Sequence, residues 1–282
     1  MTWIEPAEAL EKCTQFVRKS LQDAGREALV VGLSGGIDSA VAAAVAVRAI
    51  GADKVFGIMM PYRTSSAASL TDAEAVATSL AMAVDKVEIT VMADAFISSL
   101  DRPDRMRQSN IRQGNIMARC RMIVLYDRSA RNEALVLGTG NRTESLLGYT
   151  TLYGDNACAF NPLGQLYKTE VRTLAAHLKL PQAVQEKAPS ADLWEGQSDE
   201  DELGLTYAVA DRLLVALVDE GLAPRQLQAL GFDADLLAKI EHRVKTMAFK
   251  RALPPVCTFA ERKEPAGVAQ GYAEVGREGG FH

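Results

Sequence analysis

Six consecutive residues, Ser34-Gly35-Gly36-Ile37-Asp38-Ser39, suit one kind of chemistry. Gly35 and Gly36 permit a turn too tight for side chains, so backbone N–H groups converge on a point that a following helix would also face with its positive end. Such a cradle takes an anion, most often phosphate. The two other glycine-rich phosphate loops fit badly: no Lys follows the glycines as in G-x-x-x-x-G-K-[ST], and G-x-G-x-x-G cannot be laid on these residues. Asp38 stands in place of the Lys, flanked by the hydroxyls of Ser34 and Ser39. A carboxylate beside phosphate is repulsive unless a cation lies between them, so the loop implies a magnesium–polyphosphate complex held through Asp38. The bland alternative is a strand–turn–helix with Gly at the bend and Ser or Asp as helix cap.

The cradle needs a strand before it and a helix after it. Ala28 to Val31 reads as a buried strand, and the alanine- and valine-rich run from Ala40 as a helix packed on it. Lys54 to Met60 is a second strand, ended by Pro61. Strand, helix, strand over this distance is a right-handed βαβ unit, hence a parallel sheet whose ligands sit beyond the strand C-termini. PYRTSSAAS then lies on the functional edge, where Arg63 reads equally as an ATP contact or a solvated loop arginine. Residues 5 to 24 form an amphipathic opening helix with Ala9, Leu10, Cys13, Phe16, Val17 and Leu21 as its apolar positions. A helix from Leu70 to Met82, capped by Ser69 or Thr71, precedes a short strand at Val87 to Val91. The charged region Asp101 to Arg112 suggests a surface excursion. Gln113 to Arg131 is helical with Ile116, Met117, Cys120, Ile123, Val124 and Tyr126 inward. Arg119 and Arg121 fall on its other faces, where one could meet a phosphate or both be solvated.

After a strand at Ala134 to Leu137 comes a second informative stretch, Gly138 to Ala175. Thr139 and Glu144 fall just past a strand end, within approach of phosphates on the first loop. Glu144 reads either as a second acidic ligand for the same magnesium or as a capping acid in a helix first turn. Gly148, Gly154 and Gly164 mark turns that bring Asp155 and Lys168 out on loops. The helix Thr169 to Leu178 stops at Pro181, and the acidic window Lys187 to Gly204 opens a helix expected to run to Val218. Helical patterns follow at Ala223 to Leu230 and Ala234 to Met247. The end, Glu261 to His282, is rich in Gly and charge and is expected to be poorly ordered.

At 282 residues and 48% hydrophobic, the chain suffices for one substantial core, expected as a single domain over residues 1–257 with a polar tail over 258–282. Cys13, Cys120, Cys158 and Cys257 include no C-x-x-C pair, which argues against a disulfide frame or a zinc site. A net charge of −5 with no long basic run argues against a nucleic-acid partner. No apolar run approaches a membrane span and the first residues are too polar for a signal peptide, so no membrane partner and a cytoplasmic location are expected.

Ser34 to Ser39, set between strand and helix, resembles the loop of the PP-loop ATP pyrophosphatases, which cleave ATP between the α and β phosphates and leave an adenylylated substrate. Five further segments, MPYRTSSAASLTDA, GNIMARCRMIVLYDRSA, LGTGNRTESLLGYTTLYGD, PLGQLYKTEV and KAPSADLWEGQSDEDELG, are similar to those of NAD synthetases, in the same order, over roughly residues 10 to 256. The resemblance implies an α/β fold with a three-layer, doubly wound parallel sheet of flavodoxin-like or adenine nucleotide alpha hydrolase-like kind. It also implies a homodimer and the reaction of deamido-NAD with ATP and ammonia to give NAD, AMP and diphosphate. Under it, Gly32, Leu33, Ser34, Gly35, Gly36, Ile37, Asp38 and Ser39 hold the β and γ phosphates, and Asp38 and Glu144 bind Mg2+. Thr139, Lys168 and Ser190 contact ATP, and Arg63 lies by its ribose. Arg119 and Lys250 hold deamido-NAD, with Phe249 at the position beside Lys250. Asp155 stands near incoming ammonia. The chain departs from many bacterial members at Leu152, Ala159, Phe249 and Ser190, which bears on dinucleotide recognition and leaves the phosphate and metal chemistry intact. No covalent enzyme nucleophile is required, and the residues before Ala28 are too few for a glutaminase, so free ammonia is the expected nitrogen source. A PP-loop enzyme acting on tRNA is disfavoured by the acidic charge. A nucleotide sensor without chemistry is disfavoured by the presence of both Asp38 and Glu144.

Overall fold

Leu29, Val30, Val31 and Gly32 form the strand β1 (Leu29–Gly32) at the middle of the sheet, with no polar side chain among them. A strand covered on both faces must read this way. The structure is a computed structural model that describes residues 3–100, 106–190 and 199–257. β1 lies parallel between β2 (Val55–Met59) and β4 (Leu135–Val136), with Leu29 opposite both Val55 and Leu135. β3 (Ala83–Lys86) adds to the outer side of β2, giving the order β3-β2-β1-β4, all parallel.

The two-residue period of β1 divides the core. Leu29 and Val31 face α1 (Pro6–Asp23) and α2 (Ile37–Ile50), in a cluster joined by α3 (Ala67–Ser79), while Val30 faces the opposite layer. That layer is built from α4 (Thr90–Ile97) and α5 (Met106–Arg131) through Ala93, Met117, Cys120 and Val124. The expected three-layer α/β arrangement with helices on both faces is what the chain adopts. After β4 come α6 (Arg142–Leu147), α7 (Lys168–His177) and α8 (Gln182–Glu186), of which α7 packs beside α2. A further cluster joins α6 to α9 (Asp199–Leu203), α10 (Tyr207–Leu214) and α12 (Ala234–Thr246), with α11 (Pro224–Ala229) covering it through Leu227.

Several boundaries differ from expectation. The third strand is Ala83–Lys86, not Val87 to Val91; Val87 and Ile89 pack with the α4–α5 layer, and Val91 is exposed on α4. The alternation V-E-I-T-V continues the line of that strand, since the Val87 and Ile89 N–H groups donate to the Met59 and Pro61 carbonyls at 2.9 Å, while both side chains pack on the helical layer. Ser66, not Ser69 or Thr71, caps α3 by accepting the Ser69 N–H. α5 begins at Met106, inside the stretch expected to loop out, and residues 101–105 lie outside the described ones. Its buried stripe is Met117, Cys120 and Val124, whereas Ile123 and Tyr126, expected inward, are exposed, as is Phe16 on α1. The helix expected from Asp199 to Val218 is broken at Gly204, whose φ of 74° a side chain would disfavour. Thr206 then caps α10, which ends in a π-helical turn, Val215–Asp219. The tail 258–282 lies outside the described residues.

Candidate active site

β1 delivers the chain into the glycine turn at its C-terminal end, and α2 starts at Ile37 with no side-chain cap, leaving its first turn open to a ligand. Gly35 has φ 74°, and a Cβ there would lie 2.1 Å from the Ser69 carbonyl oxygen, so the start of α3 presses directly on the loop. Ser39 Oγ donates to the Gly36 carbonyl at 2.9 Å and accepts from the Ser34 N–H at 3.3 Å. The hydroxyls of Ser34 and Ser39 are thus drawn together, 3.2 Å apart, under the loop.

Residues far apart in sequence converge on Asp38, in the first turn of α2. Lys168, the first residue of α7, donates from Nζ to Asp38 Oδ2, and the same ammonium is 3.6 Å from Glu144 Oε1. Glu144 is the third residue of α6 and closes a capping box: it accepts the Asn141 N–H at 3.2 Å while Asn141 Oδ1 accepts the Glu144 N–H at 2.9 Å. Both readings of Glu144 are therefore compatible, since one acid caps α6 and faces Asp38. Asn141, fully buried, completes the link by donating from Nδ2 to Asp38 Oδ1 at 2.8 Å. Sequence reasoning missed Asn141, although Asn-x-x-Glu before an apolar run carries the capping signal. Burial, then the charge of Asp38, raises the Glu144 pKa above the usual carboxylate range. Burial alone would lower Lys168, but Asp38 and Glu144 outweigh it and hold the ammonium above its ordinary value.

A deeper layer fixes these groups. Asp211 on α10, fully buried, accepts from Thr143 Oγ1 at 2.5 Å, Thr169 N at 2.7 Å and Thr169 Oγ1 at 2.6 Å. Thr143 Oγ1 in turn accepts the Lys168 N–H at 3.0 Å. The Tyr207 ring, one turn earlier on α10, lies 5.1 Å from Lys168 Nζ. Neither Asp211 nor Tyr207 carries a local sequence signal, because each acts through residues more than thirty positions away.

Two cavities meet at the sheet edge. One of about 540 Å³ has apolar walls from Leu33, Met60 and Leu125. The other, about 670 Å³, contains the loop from Gly36 to Ser39 together with Glu144, Lys168 and Ser190. Thr139, Asp155 and Lys250 line both and so mark the junction. Asp155 Oδ1 accepts the Thr151 N–H at 2.6 Å, and although the residue opens to the cavity, the protein crowding its carboxyl raises its pKa. Lys250 donates to the carbonyls of Gly148 at 2.8 Å and Thr150 at 2.6 Å, and burial lowers its pKa. Arg63, Arg119 and Phe249 line neither cavity. Arg63 pairs with Asp94, Arg119 donates to the Leu152 carbonyl at 3.1 Å, and Phe249 is largely exposed. Of the two arginines left open on α5, it is Arg121 that reaches the first cavity, donating to the Met60 carbonyl at 3.1 Å.

The sequence model of one protein family, NAD synthase, matches residues 9–254. The chain belongs to the NAD synthase family. It is 45% identical over 252 residues to the NH(3)-dependent NAD(+) synthetase of Chlorobium phaeovibrioides, covering 89% of each chain. Among solved structures it superposes on an NMN synthetase from Francisella tularensis with a TM-score of 0.79 at 32% identity, over 91% of this chain and all of that one. An NH3-dependent NAD synthetase from Campylobacter jejuni, in complex with the nitrate ion, gives 0.75 at 34% identity over 90% of this chain and all of that one. In this member of the family the glycine-rich loop, the Asp38–Glu144–Lys168 cluster and the junction at Asp155 all lie beyond the C-terminal ends of the central strands, where open parallel sheets hold their ligands.

Proposed function

We propose that this NAD synthase amidates deamido-NAD with ammonia, cleaving ATP to AMP and diphosphate through an adenylylated intermediate. The observation that carries the reading is the Asp38–Glu144–Lys168 cluster beside an uncapped helix start, opening onto a junction that holds Asp155. A carboxylate is a poor electrophile, so its oxygen must first be joined to the α phosphorus. The loop N–H groups and Lys168 stabilise charge on the phosphates as the bond to the β phosphate breaks. Ammonia, freed of its extra proton near Asp155, then attacks the acyl carbon and AMP leaves.

Magnesium fits the residues present. Asp38 and Glu144 bring two carboxylates to one ammonium, and that mutual repulsion contributes to the raised pKa of Glu144. Two carboxylates completed by substrate phosphates are the usual setting for this ion. When bound there, magnesium would neutralise charge on the phosphate oxygens.

We extend the reading to a homodimer. Phe16, Ile123, Tyr126 and Tyr153 are exposed. Phe16 packs edge-on to Phe160, and Arg119 of α5 reaches the loop before Tyr153. Large apolar side chains left open to water support a protein interface. The four free thiols support a cytoplasmic setting.

The test mixes the protein with ATP, magnesium, deamido-NAD and ammonia and requires NAD and AMP in equal amounts. Glutamine in place of ammonia should give none. The likeness to an NMN synthetase and the departures at Leu152, Ala159 and Phe249 favour one second reading, with the mononucleotide acid as substrate. A higher kcat/KM for the mononucleotide than for deamido-NAD would establish it.

A further inference from the structure

Five cations line the cavity that contains the phosphate loop: Lys168, Arg172, Lys187, Lys250 and Arg251. Four of them are engaged by protein groups. Lys168 meets Asp38 and Glu144, and Lys187 donates to Asp72 Oδ2 at 2.8 Å and Ser69 Oγ at 3.0 Å. Lys250 is held by two carbonyls as described, and Arg251 donates to those of Leu146 at 3.0 Å and Val244 at 2.9 Å. Arg172 alone has no hydrogen bond, ion pair or ring contact among the described residues, although it is half-buried. A guanidinium in that position gives up hydration without a counter-charge, a cost that an incoming anion removes.

Its place narrows the anion. Arg172 lies four residues after Lys168 on α7, hence one turn along the same helix face. α7 packs beside α2, whose first turn carries Asp38, so Arg172 extends the wall formed by the phosphate loop and Lys168. Lys168 is already shared by two carboxylates and Lys187, Lys250 and Arg251 are held by other protein groups, which leaves Arg172 as the one of the five with no partner among the described residues.

We propose that Arg172 binds the diphosphate released from ATP. This rests on the ATP-cleaving reading of the same cavity. As the substrate carboxylate oxygen bonds to the α phosphorus, the bond from that phosphorus to the oxygen shared with the β phosphate breaks. The electron pair stays on that oxygen, so the departing diphosphate gains a negative charge and needs no proton. Arg172 meets this charge with a planar fork matched to two phosphate oxygens.

The test uses the full chain with Arg172→Gln and Arg172→Lys. Binding of inorganic diphosphate with magnesium is measured by titration calorimetry, and product inhibition by diphosphate is measured during turnover. Arg172→Gln should weaken both about tenfold and slow the diphosphate burst while leaving the KM for ammonia unchanged. Arg172→Lys, which keeps the charge and loses the fork, should recover part of the binding. Diphosphate binding by Arg172→Gln within twofold of wild type overturns the proposal, as does a wild type that binds none. Should the Gln variant fail to fold, Arg172→Met, which keeps the apolar stem and loses the charge, takes its place with the same expected and overturning results. The calorimetry requires no acid substrate. A wild type that binds diphosphate through Arg172 yet does not amidate deamido-NAD would therefore sink the functional reading alone.

Discussion

At the scale of single residues, the proposed reaction assigns phosphate chemistry to Asp38 and nitrogen chemistry to Asp155. Asp38 is contacted by Lys168 and by Asn141. Asp38→Ala should lower diphosphate release at least about a hundredfold while the thermal transition stays cooperative, because the side chain faces the cavity and not the apolar core. Release at the wild-type rate would remove Asp38 from its assigned part. Asp155 sits apart, at the junction, with one oxygen spent on the Thr151 N–H. Asparagine can keep that bond through its own oxygen and lose only the charge. Asp155→Asn should therefore retain a normal diphosphate burst with deamido-NAD but form NAD roughly a hundredfold more slowly, with partial recovery at high pH where free ammonia is abundant. If the burst and NAD formation fall together, Asp155 shapes the whole site and has no special part with ammonia.

At the scale of elements, the start of α6, the start of α7 and the middle of α10 are tied through one buried carboxylate. Asp211 accepts three hydrogen bonds from Thr143 and Thr169, and Thr143 receives the Lys168 N–H. Truncating Asp211 to Ala strands those donors away from water and should cost roughly 3 kcal/mol of stability. Since Glu144 follows Thr143 and Lys168 precedes Thr169, the same change should raise the magnesium concentration needed for half-maximal activity. Denaturant unfolding together with a magnesium titration checks both effects. A stable variant with unaltered magnesium dependence would show that the helix starts hold their places without Asp211.

At the scale of the whole molecule, several acids are folded into surroundings that resist their charge. Glu144, Asp155 and Asp211 all have raised pKa values, with burial the largest cause in each. Glu144 binds its proton more tightly folded than unfolded, so from the ordinary 4.5 up to its raised value the native state carries more protons than the unfolded chain. Its stabilising contribution is complete below 4.5 and is lost as the pH rises through the raised value. Metal-free protein should accordingly show a falling Tm as the pH is raised from about 5 to about 8. Magnesium with ATP should flatten that slope, since a bound cation favours the ionised carboxylate. A Tm that rises over this interval without metal would contradict the assignment.

The sequence alone was sufficient for the glycine turn between strand and helix, the parallel sheet and the place of Glu144 just past a strand end, because each is written locally. Two glycines and an acid between an apolar strand and a small-residue helix make a cradle whatever surrounds them, and a strand covered on both faces must be apolar throughout. Tertiary structure alone decided which polar residues meet. Asn141 joins Asp38 across 103 positions, Lys168 reaches it across 130, and Asp211 supports Thr143 across 68. No local period or propensity encodes such distances. The same holds for the outward face of α5, where a single helix carries two apolar stripes and only the sheet determines that Met117, Cys120 and Val124 are the covered one while Ile123 and Tyr126 face out. Secondary structure follows from neighbours in sequence, whereas the assignment of a face follows from what the rest of the chain leaves exposed to water.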